Sequence, residues 1–333
     1  MIGPLRVINA VLPGTLTASS ETYLARSLSD IADVVTDVES FDSPNVSAAL
    51  AESQVIVTGW GTQRIDSSVL ALAPKLRCIL HVGGTVKDLL APEVWSKGIA
   101  VSSSVDANAL PVAEYTLAMI LMANKRILPI ARRYRSERAF IDQAQLGVTG
   151  NYRRRIGIVG ASRIGRRVVD LLAPFDLDVV LYDPTLTAAE IRDLGAEPST
   201  LDALCATCDV VSVHAPALAS TEGMISRTLI DSIAADATLI NTSRGSIIDQ
   251  DALVDRVLRG DLHAVLDVTT PWVLASDHPF YEHPNVLLTP HIAGSVGSEV
   301  DRMIDVQLAE LRRFASGERL AHPVALSSLG TAA

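Results

Sequence analysis

The sequence predicts an α/β protein made of two doubly wound parallel-sheet domains, and three observations carry that prediction. Short apolar runs alternate with amphipathic stretches along nearly the whole chain, the pattern of strands buried on both faces with helices between them. One glycine-rich turn, Gly160–Gly165, joins such a run to a helical one. The chain has 333 residues, the length of two domains at roughly 150 residues each.

The first hundred residues hold four runs: Val7–Val11, Val55–Thr58, Cys78–His81 and Ile99–Ser102. Amphipathic stretches such as Thr22–Leu28 and Ser67–Leu72 lie between them. The N-terminal stretch has no basic region ahead of its apolar residues and is broken by prolines, so it reads as a first strand and not as a secretion signal. Val82-Gly83-Gly84-Thr85 directly follows the third run. Exposed N–H groups in such a turn can hold an anion, though a plain strand-to-helix turn fits the same residues.

From Asn108 the pattern changes. Pro111–Met122 reads as a helix with proline in its first turn and Glu114 as its only charge. Such a helix is buried, as a bridge between domains or at a subunit interface. The segment after it, up to Tyr152, carries Arg132-Arg133-Tyr134-Arg135 and a turn at Gly147–Gly150. It fits an arm over a partner subunit as well as a solvated charged face.

The chain is arranged around the stretch from Arg155 to Asp183. Ile156, Ile158 and Val159 stop at Gly160, and apolar residues then recur at helical spacing through Ile164, Val168, Leu171 and Leu172. Val179–Tyr182 is a second run, ending at Asp183. This is the layout of a dinucleotide-binding βαβ unit: glycines for a tight turn, a helix N-terminus for a pyrophosphate, an acid for a ribose diol. Asp183 follows Gly165 by 18 residues, near the roughly 20 expected. One position departs from G-x-G-x-x-G: Ser162 stands where the second glycine belongs.

Four further runs follow, Val210–Val213, Thr238–Ile240, Ala264–Val268 and Val286–Leu288. With the two strands of the glycine unit they make six, the number in a doubly wound dinucleotide sheet. After these runs come His214-Ala215-Pro216, Asn241-Thr242-Ser243-Arg244-Gly245, Asp267-Val268-Thr269-Thr270 and Thr289-Pro290-His291-Ile292. They fall at the carboxyl ends of strands, where such sheets bind ligands. A last helix, Val300–Phe314, stops at Gly317.

Composition narrows the function. The apolar share is 48%, but no run approaches the ~18 apolar residues of a membrane span. A net charge of −10 argues against a nucleic-acid partner. Three cysteines, Cys78, Cys205 and Cys208, offer no metal-like pairing, and the C-x-x-C of the last two reads as buried, inert thiols. A cytoplasmic protein with no membrane, nucleic-acid or metal partner is expected.

Several runs together carry a family resemblance. They are V-G-G-T-V at 82–86, N-A-L-P-V-A-E at 108–114, G-I-V-G-A-S-R-I-G at 157–165, H-A-P-A at 214–217, N-T-S-R-G-S-I-I-D at 241–249, L-D-V at 266–268 and D-H-P-F-Y-E-H-P-N-V-L-L-T-P-H-I-A-G at 277–294. In this order, and over essentially the full chain, they make it resemble the D-isomer-specific 2-hydroxyacid dehydrogenases. The resemblance implies a Rossmann-type NAD domain, residues 104–294, inserted into a flavodoxin-like substrate domain formed by 1–103 and 295–333. It also implies a homodimer joined through the NAD domains and the 111–150 segment.

The chemistry implied is hydride transfer between NAD(H) and a small 2-hydroxy or 2-oxo acid. Arg244 matches the family arginine, whose planar fork suits a carboxylate, and Gly83 and Gly84 would add backbone N–H groups to that carboxylate. His291 matches the acid–base histidine, whose ordinary pKa of roughly 6.5 suits proton transfer near neutrality. Asp267 matches the residue at the nicotinamide carboxamide. Gly160, Ser162, Arg163, Ile164 and Gly165 form the pyrophosphate turn, and His214, Thr242 and Gly294 complete the cofactor set. Asp183 would take the ribose hydroxyls and repel a 2′-phosphate, which favours NAD over NADP.

Two residues depart from the family pattern. Ser162 puts a side chain where the backbone approaches the pyrophosphate; its hydroxyl can donate to a phosphate oxygen, so altered affinity is expected. The family also carries a glutamate five residues after the aspartate, bonded to the catalytic histidine. Here that position is Trp272, whose indole N–H donates and cannot accept. Asp277 and Glu282 are the nearest acids in sequence, and neither fits the pattern. His291 is therefore expected to titrate lower than in the family, with Trp272 lining or crowding the substrate pocket. A catalytically weak NAD(H)-binding sensor is the alternative function that Trp272 raises.

Overall fold

The computed structural model describes residues 5–35, 38–147 and 149–330; residues 1–4 and 331–333 of the expected substrate domain lie outside them. The chain divides into two compact units. One takes the chain as far as Ala109 together with the stretch from Ser295; the other runs Leu110–Gly294.

The first unit is built on a five-stranded parallel sheet: β1 (Arg6–Ala10), β2 (Asp33–Val35), β3 (Val55–Thr58), β4 (Cys78–His81) and β5 (Ala100–Ser103), in the order β2-β1-β3-β4-β5. That is the flavodoxin-like order. Side chains alternate between two faces. Val7, Val55, Val57 and Leu80 pack with Leu24 and Leu28 of the helix Ala18–Ser29 and with Met303, Ile304 and Leu308 of the helix Glu299–Ala315. Ile8, Ile56, Ile79 and Val101 face the opposite core with Phe41, Leu50 and Val94. The last helix is tied to the start of the chain by Ser20 Oγ donating to Asp301 at 2.6 Å. Strand β2 escaped the sequence reading because it is three residues long, at the sheet edge and only partly buried, so it shows no apolar run.

The second unit carries seven parallel strands, one more than expected: β6 (Arg154–Val159), β7 (Leu177–Tyr182), β8 (Glu197–Pro198), β9 (Val210–Val213), β10 (Thr238–Asn241), β11 (His263–Leu266) and β12 (Val286–Leu288). The order is β12-β11-β10-β9-β6-β7-β8. The extra strand, β8, pairs only through two residues with Val180 and Leu181 of β7, too short for any periodicity. Strand order reverses between β6 and β9, and a crevice outside the carboxyl ends at such a switch point is where these sheets bind nucleotides.

One helix corrects the sequence reading. It spans Val105–Asn124, starting six residues before Pro111, so the proline lies inside it and not in the first turn. Its missing N–H removes one backbone hydrogen bond, set against the burial of Ala109, Val112, Ala113 and Ile120 on the same helix. Cys78, Cys205 and Cys208 are buried free thiols, and burial pushes them up to about 12, 12 and 11. Among the described residues no helix is long and apolar enough to cross a membrane.

Candidate functional site

The glycine turn comes first because the fold around it is the tightest. Gly160 ends β6 with φ +98°, and a Cβ there would lie 2.8 Å from the backbone nitrogen of Ala215. At Gly165 a Cβ would lie 2.0 Å from the carbonyl oxygen of Gly160. The first and third glycines are thus both required to seat the helix Arg163–Leu172 against its strand. Ser162 is the N-cap of that helix, and its hydroxyl accepts from the Gly165 N–H at 3.3 Å. This explains how serine is tolerated at the second glycine position. Its oxygen satisfies one helix-end donor, a role glycine cannot fill, while the hydroxyl keeps its own proton for donation to an anion. Arg163 is exposed, and Ile164 partly so.

Asp183 closes the turn from β7. Its carboxylate accepts from the Ala161 N–H at 2.7 Å, from the Thr185 N–H at 2.8 Å and from the Thr185 hydroxyl at 2.6 Å. Burial works to raise its pKa, but the hydrogen bonds from Thr185 and Ala161 outweigh it and hold the carboxyl below the usual range. The residues fit a dinucleotide: an ionised acid at the end of β7 beside a capped helix N-terminus.

Two expected cofactor residues contribute differently from what their chemistry suggests. His214 is buried, with Nε2 on the hydroxyl of Ser212 at 2.9 Å, and burial pushes its pKa down to about 3. Its part is to pack beneath the turn, where its Cβ lies 3.4 Å from the position of a Gly165 Cβ. Thr242 is likewise buried, with its hydroxyl on that of Thr116 at 3.3 Å.

The remaining expected site residues of this unit gather at β10, β11 and β12. At the last residue of β10, the side chain of Asn241 accepts from the Ser243 N–H at 3.0 Å and donates to the Arg244 carbonyl at 2.9 Å. This braces the loop that presents Arg244, whose guanidinium donates to the Ser243 carbonyl at 2.7 Å. Gly245 follows, and a Cβ there would lie 2.2 Å from the carbonyl carbon of Thr269. The arginine loop therefore rests backbone to backbone on the segment after β11.

That segment carries Trp272. Gln250 clamps it, accepting from the Thr270 N–H at 2.9 Å and donating to the Thr270 carbonyl at 2.6 Å. Thr269 Oγ donates to the carbonyls of Pro271 and Trp272 at 2.8 and 3.2 Å. So held, the indole stacks on the His291 imidazole with ring centroids 4.5 Å apart and planes 24° from parallel. Nothing in the sequence pointed to Gln250 or Gly245 as supports, because both act on the backbone of a segment about twenty residues further along the chain.

His291 follows β12 in the left-handed region, at φ +55°, a conformation a residue other than glycine keeps only where its surroundings fix it. Its Nδ1 is buried and has no hydrogen-bond partner among the described residues. Burial lowers its pKa; Asp267 works to raise it and Arg244 adds to the lowering. Asp267 is buried at the end of β11, accepting from the Thr289 hydroxyl at 2.6 Å and from the N–H groups of Ile292 and Ala293 at 2.8 and 2.9 Å. Arg244, Asp267, Trp272 and His291 are thus brought to one end of the sheet. Gly294, partly exposed, ends that unit.

Gly83 and Gly84 belong to the other unit. There the His81 ring, bonded through Nδ1 to the Thr58 hydroxyl at 3.0 Å, lies directly under Gly83; a Cβ would sit 2.3 Å from His81 Nε2. The sequence reading overlooked His81, which reads as one more residue of a buried strand.

Comparison with known proteins follows the same outline. Residues 117–293 match the model of the D-isomer specific 2-hydroxyacid dehydrogenase NAD binding domain. The D-3-phosphoglycerate dehydrogenase of Mycobacterium tuberculosis is 31% identical over 268 residues, 80% of this chain and 50% of that protein. The chain thus spans about half the length of the mycobacterial relatives it matches. A glyoxylate reductase of Korarchaeum cryptofilum is 29% identical over 260 residues, 77% of this chain and 78% of that one. Among solved structures, a D-lactate dehydrogenase from Aquifex aeolicus complexed with NAD and lactic acid is 25% identical. It covers 94% of this chain and 96% of its own, with a TM-score of 0.72.

Proposed function

The chain belongs to the D-isomer specific 2-hydroxyacid dehydrogenase family, with NAD as the cofactor of its second unit, and from that premise we propose that it interconverts a small 2-hydroxy acid and its 2-oxo acid. The observation that carries the proposal is the joint placement of Arg244 and His291 beside the end of β11. There one bears electrostatically on the other, and the backbone of each loop is locked.

In this reading Arg244 binds the substrate carboxylate through its planar fork and polarises the 2-oxygen. The N–H groups of Gly83 and Gly84, which donate to no acceptor among the described residues, are the first unit's own candidate carboxylate donors. His291 exchanges a proton with the 2-oxygen through Nε2, since Nδ1 is enclosed. The turn Gly160–Gly165 with Ser162, Arg163 and Ile164 holds the pyrophosphate, Asp183 the ribose and Asp267 the carboxamide end, with His214, Thr242 and Gly294 shaping the pocket. When bound, NAD supplies the group that accepts or gives the hydride at C2. Two such chains pair through the second unit and the 111–150 segment.

A second reading, an NAD(H)-binding sensor, is favoured by the indole on His291 where an acid partner would sit. One experiment separates the two. The protein is mixed with NADH and glyoxylate, hydroxypyruvate, pyruvate or phenylpyruvate across pH, following the loss of nicotinamide absorbance. Turnover that disappears in His291→Ala supports the enzyme. NADH binding without turnover on any acid rejects it in favour of the sensor.

A further inference from the structure

His291 is set up unlike a histidine paired with an acid. Its ring is covered on one face by Trp272 at 4.5 Å, and its Nδ1 is enclosed without a partner. The elements packed around it contribute two charged groups: Asp267 from the end of β11 and Arg244 from the loop after β10. Asp267 spends its carboxylate on Thr289, Ile292 and Ala293. The segment 269–272 brings no charge, and Tyr115, which bonds Thr289 at 2.9 Å, is a neutral phenol. The acids nearest in sequence, Asp277 and Glu282, are exposed, and neither reaches Nδ1, which has no partner among the described residues.

The indole is itself held in place. Gln250 pins Thr270 on both its N–H and its carbonyl, Thr269 ties the carbonyls of Pro271 and Trp272, and Gly245 seats the segment from below. A side chain 67% exposed would otherwise sample many rotamers. Here its backbone is fixed and one face is spent on the imidazole.

We propose that Trp272 is a positioning residue that orients His291 by stacking and occupies the side from which an acid would pair with the ring, leaving the enclosed imidazole without an acid partner, so that the site is kinetically tuned to oxidise 2-hydroxy acids at neutral and mildly acid pH. The proposal rests on the dehydrogenase reading above. In the step, His291 Nε2 takes the hydroxyl proton as the C2–H bond yields its electron pair to the nicotinamide of NAD and the C2–O bond becomes a carbonyl. A neutral imidazole is the form this direction needs. Reduction needs the protonated form, which a stacked ring without an acid partner supplies only at lower pH. Equilibrium between the two acids is untouched; the rates in each direction acquire different pH windows.

The test uses the full chain with Trp272→Glu, Trp272→Phe and Gln250→Ala, and two readouts. The first is the His291 titration midpoint, followed by NMR of the imidazole with His291→Gln to assign the signal. The second is kcat against pH for glycolate, glycerate and lactate with NAD, and for the matching 2-oxo acids with NADH. Trp272→Glu places a carboxylate at the ring and is expected to raise the midpoint by about one pH unit or more, with the acid limb of oxidation and the alkaline limb of reduction moving up together. Trp272→Phe keeps a stacking face and should leave the midpoint within a few tenths. Gln250→Ala, which loosens the segment without touching either ring, should move it part of the way toward an ordinary histidine. An unchanged midpoint in Trp272→Glu overturns the positioning role, even in a protein without turnover. Parent protein that turns over no acid in either direction overturns the dehydrogenase reading and the oxidative tuning with it, and the NMR midpoints still decide whether Trp272 sets the ring.

Discussion

Asp267 holds His291 by its backbone: the His291 N–H donates to the Asp267 carbonyl at 3.0 Å, and the next two N–H groups donate to the Asp267 carboxylate at 2.8 and 2.9 Å. Three successive amides converge on one buried residue, and this is what keeps a histidine in the left-handed region. The aspartate that the family pattern assigns to the nicotinamide is therefore also the clamp of the histidine proposed for proton exchange. Asp267→Asn puts an amide NH2 against one of these donors. Loss of one such charge-assisted bond is expected to cost about 1.5–3 kcal/mol. A lower melting temperature should appear together with a fall in kcat. A variant that loses NAD affinity alone, with kcat at saturating NAD unchanged, would show that the clamp is unimportant.

The arginine loop and the tryptophan segment share a contact with no room for a methyl group. In Gly245→Ala the new Cβ would stand 2.2 Å from the Thr269 carbonyl carbon, so one backbone must move. Overpacking of this kind costs about 1–3 kcal/mol. Because the displaced segments carry Arg244 and Trp272, KM for the acid should rise while the Kd for NADH stays near that of the parent. Equal effects on both ligands would count against the placement of Arg244 at the substrate.

Asp183 tests the choice of cofactor. Its carboxylate, held low by the Thr185 and Ala161 bonds, is the group proposed to accept from a ribose diol and to repel a phosphate. Asp183→Ser removes charge-assisted bonds of about 1.5–3 kcal/mol each. The Kd for NADH, measured by calorimetry, should therefore rise by about 10-fold or more. NADPH should gain relative to NADH. An unchanged ratio of the two affinities would remove Asp183 from the ribose site.

The titration of buried histidines gives the stability a direction with pH. His81 is buried and its pKa is pushed down to about 4 by desolvation, against an ordinary 6.5 in the unfolded chain. The folded state refuses a proton that the unfolded state takes. Stability is thus full above pH 6.5 and is lost as the pH falls from there to about 4. At about 1.4 kcal/mol per unit, His81 alone contributes about 3 kcal/mol to that loss, and His214 and His263 act in the same direction. Urea unfolding of the parent at several values between pH 7 and 4.5 should show this slope, and His81→Asn should flatten it whatever its stability at pH 7. A slope unaltered by the substitution would mean that His81 is protonated in the folded state.

What could be read in advance divides by the kind of physics involved. Strands such as Cys78–His81 and Val210–Val213 are buried on both faces, so their identity is written as continuous apolar runs. The glycine turn was legible for the same reason: a steric demand at Gly160 and Gly165 excludes every other residue. Strands β2 and β8 were not legible, being short edge pieces held by backbone pairing. The start of the helix at Val105 was hidden by Pro111, which locally reads as a first turn. At the site, Arg244 and His291 stand out by type and position, and Trp272 by being the wrong type. Their supports, Gln250 on Thr270 and the Gly245 contact, depend on segments far apart in sequence meeting through backbone atoms. No pattern along the chain records such a meeting.

The surface of the second unit argues for a second copy of the chain. The helix Ile127–Glu137 has no buried residue, yet it and the segment after it present Ile127, Tyr134 and Phe140, the last 87% exposed. A run of large apolar side chains left in water on one stretch of a protein marks an interaction surface. In a symmetric dimer each residue is buried twice, once from each partner. Removing one aromatic that contributes about 1.5–3 kcal/mol from both copies should weaken pairing by more than 100-fold. Phe140→Ser is therefore expected to shift the mass measured by light scattering at micromolar concentration from two chains toward one, with the unfolding midpoint of the monomer little changed, since Phe140 packs against little of its own chain. A parent protein that runs as a single chain at every concentration would leave this surface to some other partner and end the dimer proposal.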